Sequence, residues 1–192
     1  MQKKFLFVAF VLLVQMALMQ PAGAVNSVSL QGSGSSFVNP VMQDWVQAFA
    51  GNTSNLVQIS YSSVGSGTGK SNFIAGSTDF AGSDAPLSSS EVSTITSHSQ
   101  VALTIPDTIG AIVMIYNIPS GLTGTLNLTA SNIAKIYQGN ITNWNDPELT
   151  ANNPGLTATQ AIVPVHRSDS SGTSFAFSNF FSRFTGWSVG TT

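Results

Sequence analysis

Apolar and polar positions alternate along this chain in two rhythms. In "SVSLQGSGSS" (27–36) and "NLVQISYSSV" (55–64) apolar residues recur every second position and then give way to glycine and serine. Period two predicts a strand, and the Gly/Ser run predicts a turn at its end. In "FVNPVMQDWVQAFA" (37–50), Phe37, Val41, Trp45 and Phe49 recur every fourth position, which predicts an amphipathic helix with Pro40 in its first turn. "GSGTGK" (65–70) reads as a loop, "SNFIAGS" (71–77) as a short helix and "TDFAGSD" (78–84) as a short strand ending at Asp84. "SSSEVSTITS" (88–97) opens with Ser88 three residues before Glu91, the spacing of a capping box.

Further on, "VALTIP" (101–106) and "IGAIVMIYNI" (109–118) are apolar and β-branched, and are expected to be strands. "LTASNIAKIYQGN" (128–140) predicts a helix, "ITNWNDPEL" (141–149) a turn and loop, and "QAIVPVHR" (160–167) a strand. "SDSSGTSFAFSNFFSRF" (168–184) turns into a helix with Phe177, Phe180, Phe181 and Phe184 on one face. Strands alternating with helices predict an α/β fold with a mixed, largely parallel sheet.

The N-terminus follows neither rhythm. "MQKK" is basic, "FLFVAFVLLVQMALM" (5–19) is an apolar run interrupted only by Gln15, and "QPAGA" (20–24) supplies small residues with Ala22 and Ala24 in an A-x-A arrangement. These three parts form a cleavable secretory signal over residues 1–24, cut after Ala24. The apolar run is short for a membrane span, which takes about 20 residues. Cysteine is absent, so disulfides, thiol catalysis and thiolate metal sites are excluded.

Only 7% of the chain is charged, against about 25% in an ordinary soluble domain. Without the signal, four basic side chains (Lys70, Lys135, Arg167, Arg183) face eight acidic ones, a net charge of −4. That balance does not suit nucleic acid, which is held by clustered Lys and Arg. His98 and His166 have no metal-like spacing, and Asn52, Asn127 and Asn140 stand in glycosylation-like triplets in a chain rich in Asn, Ser and Thr.

One unit recurs: strand, Gly/Ser/Thr turn, helix. It appears as "QGSGSSF", "GSGTGKSNF" and "SDSSGTSF". Each turn sets free backbone N–H groups and a hydroxyl at a helix start, where the helix dipole also favours an anion. In an open α/β sheet the carboxyl ends of the strands collect such turns into one crevice. A micromolar ligand requires about 8 kcal/mol, which several charge-assisted donors at about 1.5–3 kcal/mol each supply without net positive charge.

The matching stretches are "GSGSSF" (32–37), "GSGTGKSNFIAGSTDFAGSDAPLS" (65–88), "IGAIVMIYNIP" (109–119), "IYQGNITNWNDPEL" (136–149) and "VHRSDSSGTSFAF" (165–177). On these the chain resembles the periplasmic phosphate-binding component of high-affinity phosphate ABC transporters. The resemblance implies a two-lobe periplasmic-binding-protein-like fold of type II, with mixed sheets flanked by helices and closed on a dehydrated phosphate. The first lobe is expected over residues 25–105 and part of the second over 106–192, with a crossing near Thr104 to Asp107. The second lobe and the return to the first are expected to be incomplete, leaving unpaired strand edges.

The resemblance also implies the ligand set. Ser36 and the Phe37 backbone N–H stand at the first helix start, Ser66 in the second loop, and Ser171, Gly172 and Thr173 at the last helix start. Asp84 is implied as the acceptor of a phosphate proton, Arg167 as the charged donor, and Asp169 as the partner that holds the Arg167 guanidinium. Lys70 is not a usual ligand and is expected to be a solvated loop charge. No catalytic residue, metal or cofactor is implied. The implied partners are inorganic phosphate and the membrane permease with its cytoplasmic ATPase, which would be the protein's only tie to the membrane. A periplasmic or extracellular location follows. A secreted phosphatase of related fold and a binder of another tetrahedral oxyanion are the competing readings.

"SVGSGTGKS" (63–71) also looks like a nucleotide-binding loop. That motif requires a glycine five residues before Gly69-Lys70-Ser71, and Val64 stands there. No magnesium-dependent ATP binding is therefore expected, and a titration showing ATP binding that disappears in Lys70→Ala would contradict this.

Overall fold

The computed structural model describes residues 27–118, 120–183 and 186–190. The signal expected over residues 1–24 lies outside them.

Three parallel strands form the sheet. β1 (Val28–Gly34) is central, flanked by β2 (Val57–Ser63) and β3 (Phe80–Gly82). β1 pairs with β2 from Val28↔Val57 to Gly34↔Ser63, and with β3 from Gly32↔Phe80 to Gly34↔Gly82. The sheet is thus parallel throughout among the described residues. Antiparallel pairing is confined to isolated bridges at Leu122↔Leu156 and Asn143↔Ala161.

Helix α1 (Asn39–Asn52) connects β1 to β2, with a proline in its first turn as the sequence predicts. Its spacing-four stripe is not a buried face, however. Val38 at the helix N-cap is buried, whereas Trp45 and Phe49 are exposed. Helix α2 (Ser66–Ile74) starts earlier than expected. The glycine-rich stretch after Gly65 is not a loop but the first turns of this helix. A tertiary contact explains it. A Cβ on Gly69 would lie 2.3 Å from the Gly34 Cα and 2.7 Å from Ser33 O, so α2 rests directly on the backbone at the end of β1, and a side chain at 69 would prevent that approach. Helix α3 (Ser89–Ser97) carries the predicted capping box, with Ser88 Oγ accepting from Glu91 N and the Glu91 carboxylate accepting from Ser88 N.

Residues 101–118 depart most from expectation. They form neither predicted strand, and Ile109 is 96% exposed. The predicted strand over 160–167 is also absent, apart from the bridge at Ala161. The β-branched residues favour an extended backbone, but a strand exists only where a neighbour accepts and donates its hydrogen bonds. No such neighbour lies beside these segments among the described residues.

A second packed region forms around helix α4 (Ala130–Tyr137) and the short helix α5 (Pro147–Thr150), the latter inside the stretch expected to be loop. Its buried side chains are Leu126, Ile136, Ile141, Trp144, Leu149, Leu156 and Ala158. α4 has its own capping box, Thr129 with Asn132. Helix α6 (Gly172–Phe181) adjoins this region through Phe177, whose ring lies 4.9 Å from Tyr137 and 4.6 Å from Phe181. Of the predicted phenylalanine face, Phe181 is buried, Phe180 is half-exposed, and Phe184 lies outside the described residues.

Leu149 is fully buried at 0% exposure. Leu149→Ala is expected to destabilise the fold by about 2–5 kcal/mol. Val163→Ala, at an exposed position, should change stability by no more than about 0.5 kcal/mol. Denaturant titration of both variants checks this.

Candidate functional site

Parallel strands place their carboxyl ends on one edge, so Gly34, Ser63 and Gly82 bring three chain segments together there. The segment after β1 supplies Ser35, Ser36 and Phe37. The segment after β2 enters α2 at Ser66, and the segment after β3 supplies Asp84. The start of α6 closes the group from the far part of the chain. Gly67 N donates to Ser170 O at 3.3 Å, joining the second and fourth segments.

Asp84 is the hub. Its Oδ2 accepts from Thr173 Oγ1 at 2.9 Å and its Oδ1 accepts from Ser35 Oγ. Its backbone N donates to Ser66 Oγ at 3.3 Å. Gly172 fits against the same group. A Cβ there would lie 2.5 Å from Ser66 Oγ and 2.9 Å from the Asp84 Cβ, so a side chain at 172 would push α6 off the hub. Ser171 caps α6, accepting from Ser174 N at 3.3 Å. Ser66, Ser171 and Gly172 are buried and Asp84 and Thr173 half-buried, so this wall is shielded from water.

The outer rim is Arg167. Its Nε donates to Asp169 Oδ1 at 2.7 Å, its Nη2 donates to Asp169 Oδ2, and its Nη1 donates to Ser36 Oγ at 3.2 Å. The fork-on-fork pair orients the guanidinium plane. Bonding to Asp169, helped by the Asp84 charge, raises the Arg167 pKa, and the same bonding holds the Asp169 carboxyl below its usual value. Both side chains remain exposed, so the pair fixes geometry rather than stabilising the fold.

The structure thus brings together Ser36, Ser66, Asp84, Arg167, Asp169, Ser171, Gly172 and Thr173. The Phe37 amide is also present, but it already donates to Ser35 Oγ at 3.1 Å. Ser35 itself was missed from the sequence. Two serines stand in tandem in "GSSF", and nothing in the pattern tells which hydroxyl turns inward. Ser35 is 1% exposed, whereas Ser36 is exposed. Lys70 corrects an expectation. It is not a solvated loop charge but sits on α2, with Nζ 3.0 Å from Glu91 Oε2 and 3.4 Å from Pro86 O. His98 and His166 stay apart from the cleft hub. Among the described residues no group of three or more His, Cys, Asp or Glu could hold a metal ion.

The chain matches the PBP superfamily domain over residues 20–192. It belongs to that superfamily. Within this superfamily it is similar to a phosphate-binding protein PstS of Haemophilus influenzae, 38% identical over 164 residues that make up 85% of this chain and 46% of the relative. A phosphate-binding protein PstS of Xylella fastidiosa is 39% identical over 164 residues, 84% of this chain and 43% of the relative. The chain therefore spans less than half the length of these relatives. Among solved structures it resembles one from Clostridium perfringens described as a phosphate ABC transporter substrate-binding protein with bound phosphate. The TM-score is 0.56 and the identity 25%, covering 84% of this chain and 57% of that one. The superfamily assignment and this likeness agree with the α/β architecture described above.

The Lys70–Glu91 pair ties α2 to α3 beside the cleft. Burial alone would raise the Glu91 carboxyl, but the Ser88 amide and Lys70 outweigh it and hold the pKa below its ordinary 4.5. A carboxyl lowered by folding adds stability that is complete above its unfolded value and lost as pH falls through the folded one. Glu91→Gln is therefore expected to cost about 1 kcal/mol at pH 7 and progressively less as pH falls below 4.5. Denaturant midpoints measured across that range check it.

Proposed function

We propose that this protein captures inorganic phosphate outside the cytoplasm and delivers it to the membrane permease of an ABC transporter driven by a cytoplasmic ATPase. The observation that carries the reading is that Asp84 stands at the meeting point of the helix starts while Arg167 stands at its rim, bonded to Ser36. An oxyanion there would find a planar charged donor, several hydroxyls and backbone N–H groups on one side, and an acceptor carboxylate on the other. The similarity to proteins named for phosphate binding supports the same choice.

In this reading Arg167 donates to two phosphate oxygens from a plane held by Asp169. Ser36 and Ser66 turn their hydroxyls to the anion, and the Phe37 amide is shared between Ser35 and the ligand. Ser171, Gly172 and Thr173 supply the donors at the start of α6, where the helix dipole favours negative charge. The first lobe takes in residues 25–105 and the second begins at 106, with the cleft between them. The two packed regions, one around the sheet and one around α4 and α5, support that division. Export by a signal cut after Ala24 would place the protein in the periplasm or outside the cell.

Asp84 sets the choice of ion. Phosphate near neutral pH carries at least one proton, its second pKa being about 6. Sulfate carries none. An ionised carboxylate only accepts, so it bonds to protonated phosphate and faces sulfate lone pair to lone pair. A buried acceptor left unpaired costs about 1–3 kcal/mol or more, and sites built on such a bond discriminate by about four to five orders of magnitude.

Competitive calorimetry with phosphate and sulfate tests this. The wild type is expected to prefer phosphate strongly, Asp84→Asn to narrow the preference, and Arg167→Ala to weaken both ions together. Equal affinity of the wild type for the two ions would remove the role given to Asp84. Release of phosphate from a phosphoester would return the reading to a secreted phosphatase.

A further inference from the structure

The site contains a residue that the ligand assignment does not use. Ser35 is 1% exposed, and every polar group it has is engaged. Its N–H donates to Gly82 O at 2.8 Å, its C=O accepts from Tyr61 Oη at 3.0 Å, and its Oγ accepts from Phe37 N at 3.1 Å. The hydroxyl proton goes to Asp84 Oδ1. The Phe37 amide can only donate, so it occupies Ser35 Oγ as an acceptor and leaves the O–H for the carboxylate. Burial pushes the Tyr61 hydroxyl up to about 12, with Asp84 and Asp107 adding to the effect, so it remains a donor to the Ser35 carbonyl at neutral pH.

The two hydroxyls on Asp84 are not equivalent. Thr173 reaches it from α6, a segment 89 residues away, and its hydroxyl is one of those proposed to turn to the anion. Ser35 reaches it from the end of β1, whose backbone is bonded to β3, and β3 ends two residues before Asp84. The Ser35 bond therefore lies wholly within the sheet edge and holds Oδ1 whether or not a ligand is present. That leaves Oδ2 as the oxygen able to receive a ligand proton.

We infer that Ser35 is a positioning residue for oxyanion selectivity: it fixes the Asp84 carboxylate so that one oxygen faces the ligand as an acceptor. This rests on the phosphate reading above. Without the Ser35 hydroxyl the carboxylate can rotate about its last torsion. Phosphate then loses its acceptor, and sulfate no longer meets a fixed lone pair, so the preference narrows from both sides. Loss of the acceptor for the Phe37 amide affects both ions alike, because that amide does not distinguish a protonated ligand from an unprotonated one.

The readout is therefore the ratio of sulfate to phosphate Kd, not the affinity for either. It is measured by calorimetry on the wild type, Ser35→Ala, Ser35→Thr, Asp84→Asn and the Ser35→Ala/Asp84→Asn double variant. Thermal unfolding checks that each is folded. The expected result is a ratio that falls about ten- to hundredfold in Ser35→Ala, returns with the hydroxyl of Ser35→Thr, and falls no further when Ser35→Ala is added to Asp84→Asn. A wild type selective for phosphate whose ratio survives in Ser35→Ala overturns this inference alone. So does a double variant whose losses add, which would mark a structural role. A wild type that prefers neither ion overturns the phosphate reading itself. If Ser35→Ala does not fold, Ser35→Cys, with its similar volume and weak S–H donor, takes its place under the same two outcomes.

Discussion

The Asp84 carboxylate holds the cleft together. It stands two residues beyond the shortest strand; Ser35 from the end of β1 and Thr173 from the start of α6 donate to it, and Ser66 at the start of α2 accepts from the backbone N–H of the same residue. A carboxylate in a partly buried place needs donors for its lone pairs. Here the Ser35 and Thr173 hydroxyls meet that need from elements remote in sequence; the Thr173 bond draws in the start of α6, and the Asp84 backbone N–H draws in the start of α2 through Ser66.

Close backbone approach makes this convergence possible. α2 rests on the end of β1 because Gly69 meets Gly34, and α6 comes within reach of Asp84 because residue 172 has no side chain. The glycines that suggest a nucleotide loop in the sequence therefore serve packing. The turn they make begins a helix whose N-terminal Ser66 meets Asp84, and Lys70 on that helix is bound to Glu91.

Charge is used sparingly around the cleft. Arg167 is the cation at its rim, and Asp169 already pairs with it. The guanidinium thus arrives oriented, and its field is partly spent on the neighbouring carboxylate. In the phosphate reading proposed above, selection among tetrahedral anions rests on where protons and lone pairs point more than on net charge. That agrees with a chain whose polarity comes mostly from Ser, Thr and Asn rather than from charged residues.

Local pattern was enough for the elements whose stability is local. The α1 proline, the Ser88–Glu91 capping box and the alternation of β1 and β2 are legible because turns, caps and period two depend on residues close in sequence. The acid, the arginine and the α6 start were legible through motifs. What failed needed a partner. "VALTIP", "IGAIVMIYNI" and "QAIVPVHR" have strand composition but no neighbouring strand among the described residues, and the Trp45 and Phe49 face of α1 has no cover there. Tertiary structure alone decided that Ser35 rather than Ser36 faces Asp84, that the glycine stretch after Gly65 winds into helix, and that Lys70 is paired. The sequence determined which groups could bond. Which of them did was settled by distances between residues far apart in the chain, and a one-dimensional pattern does not carry those distances.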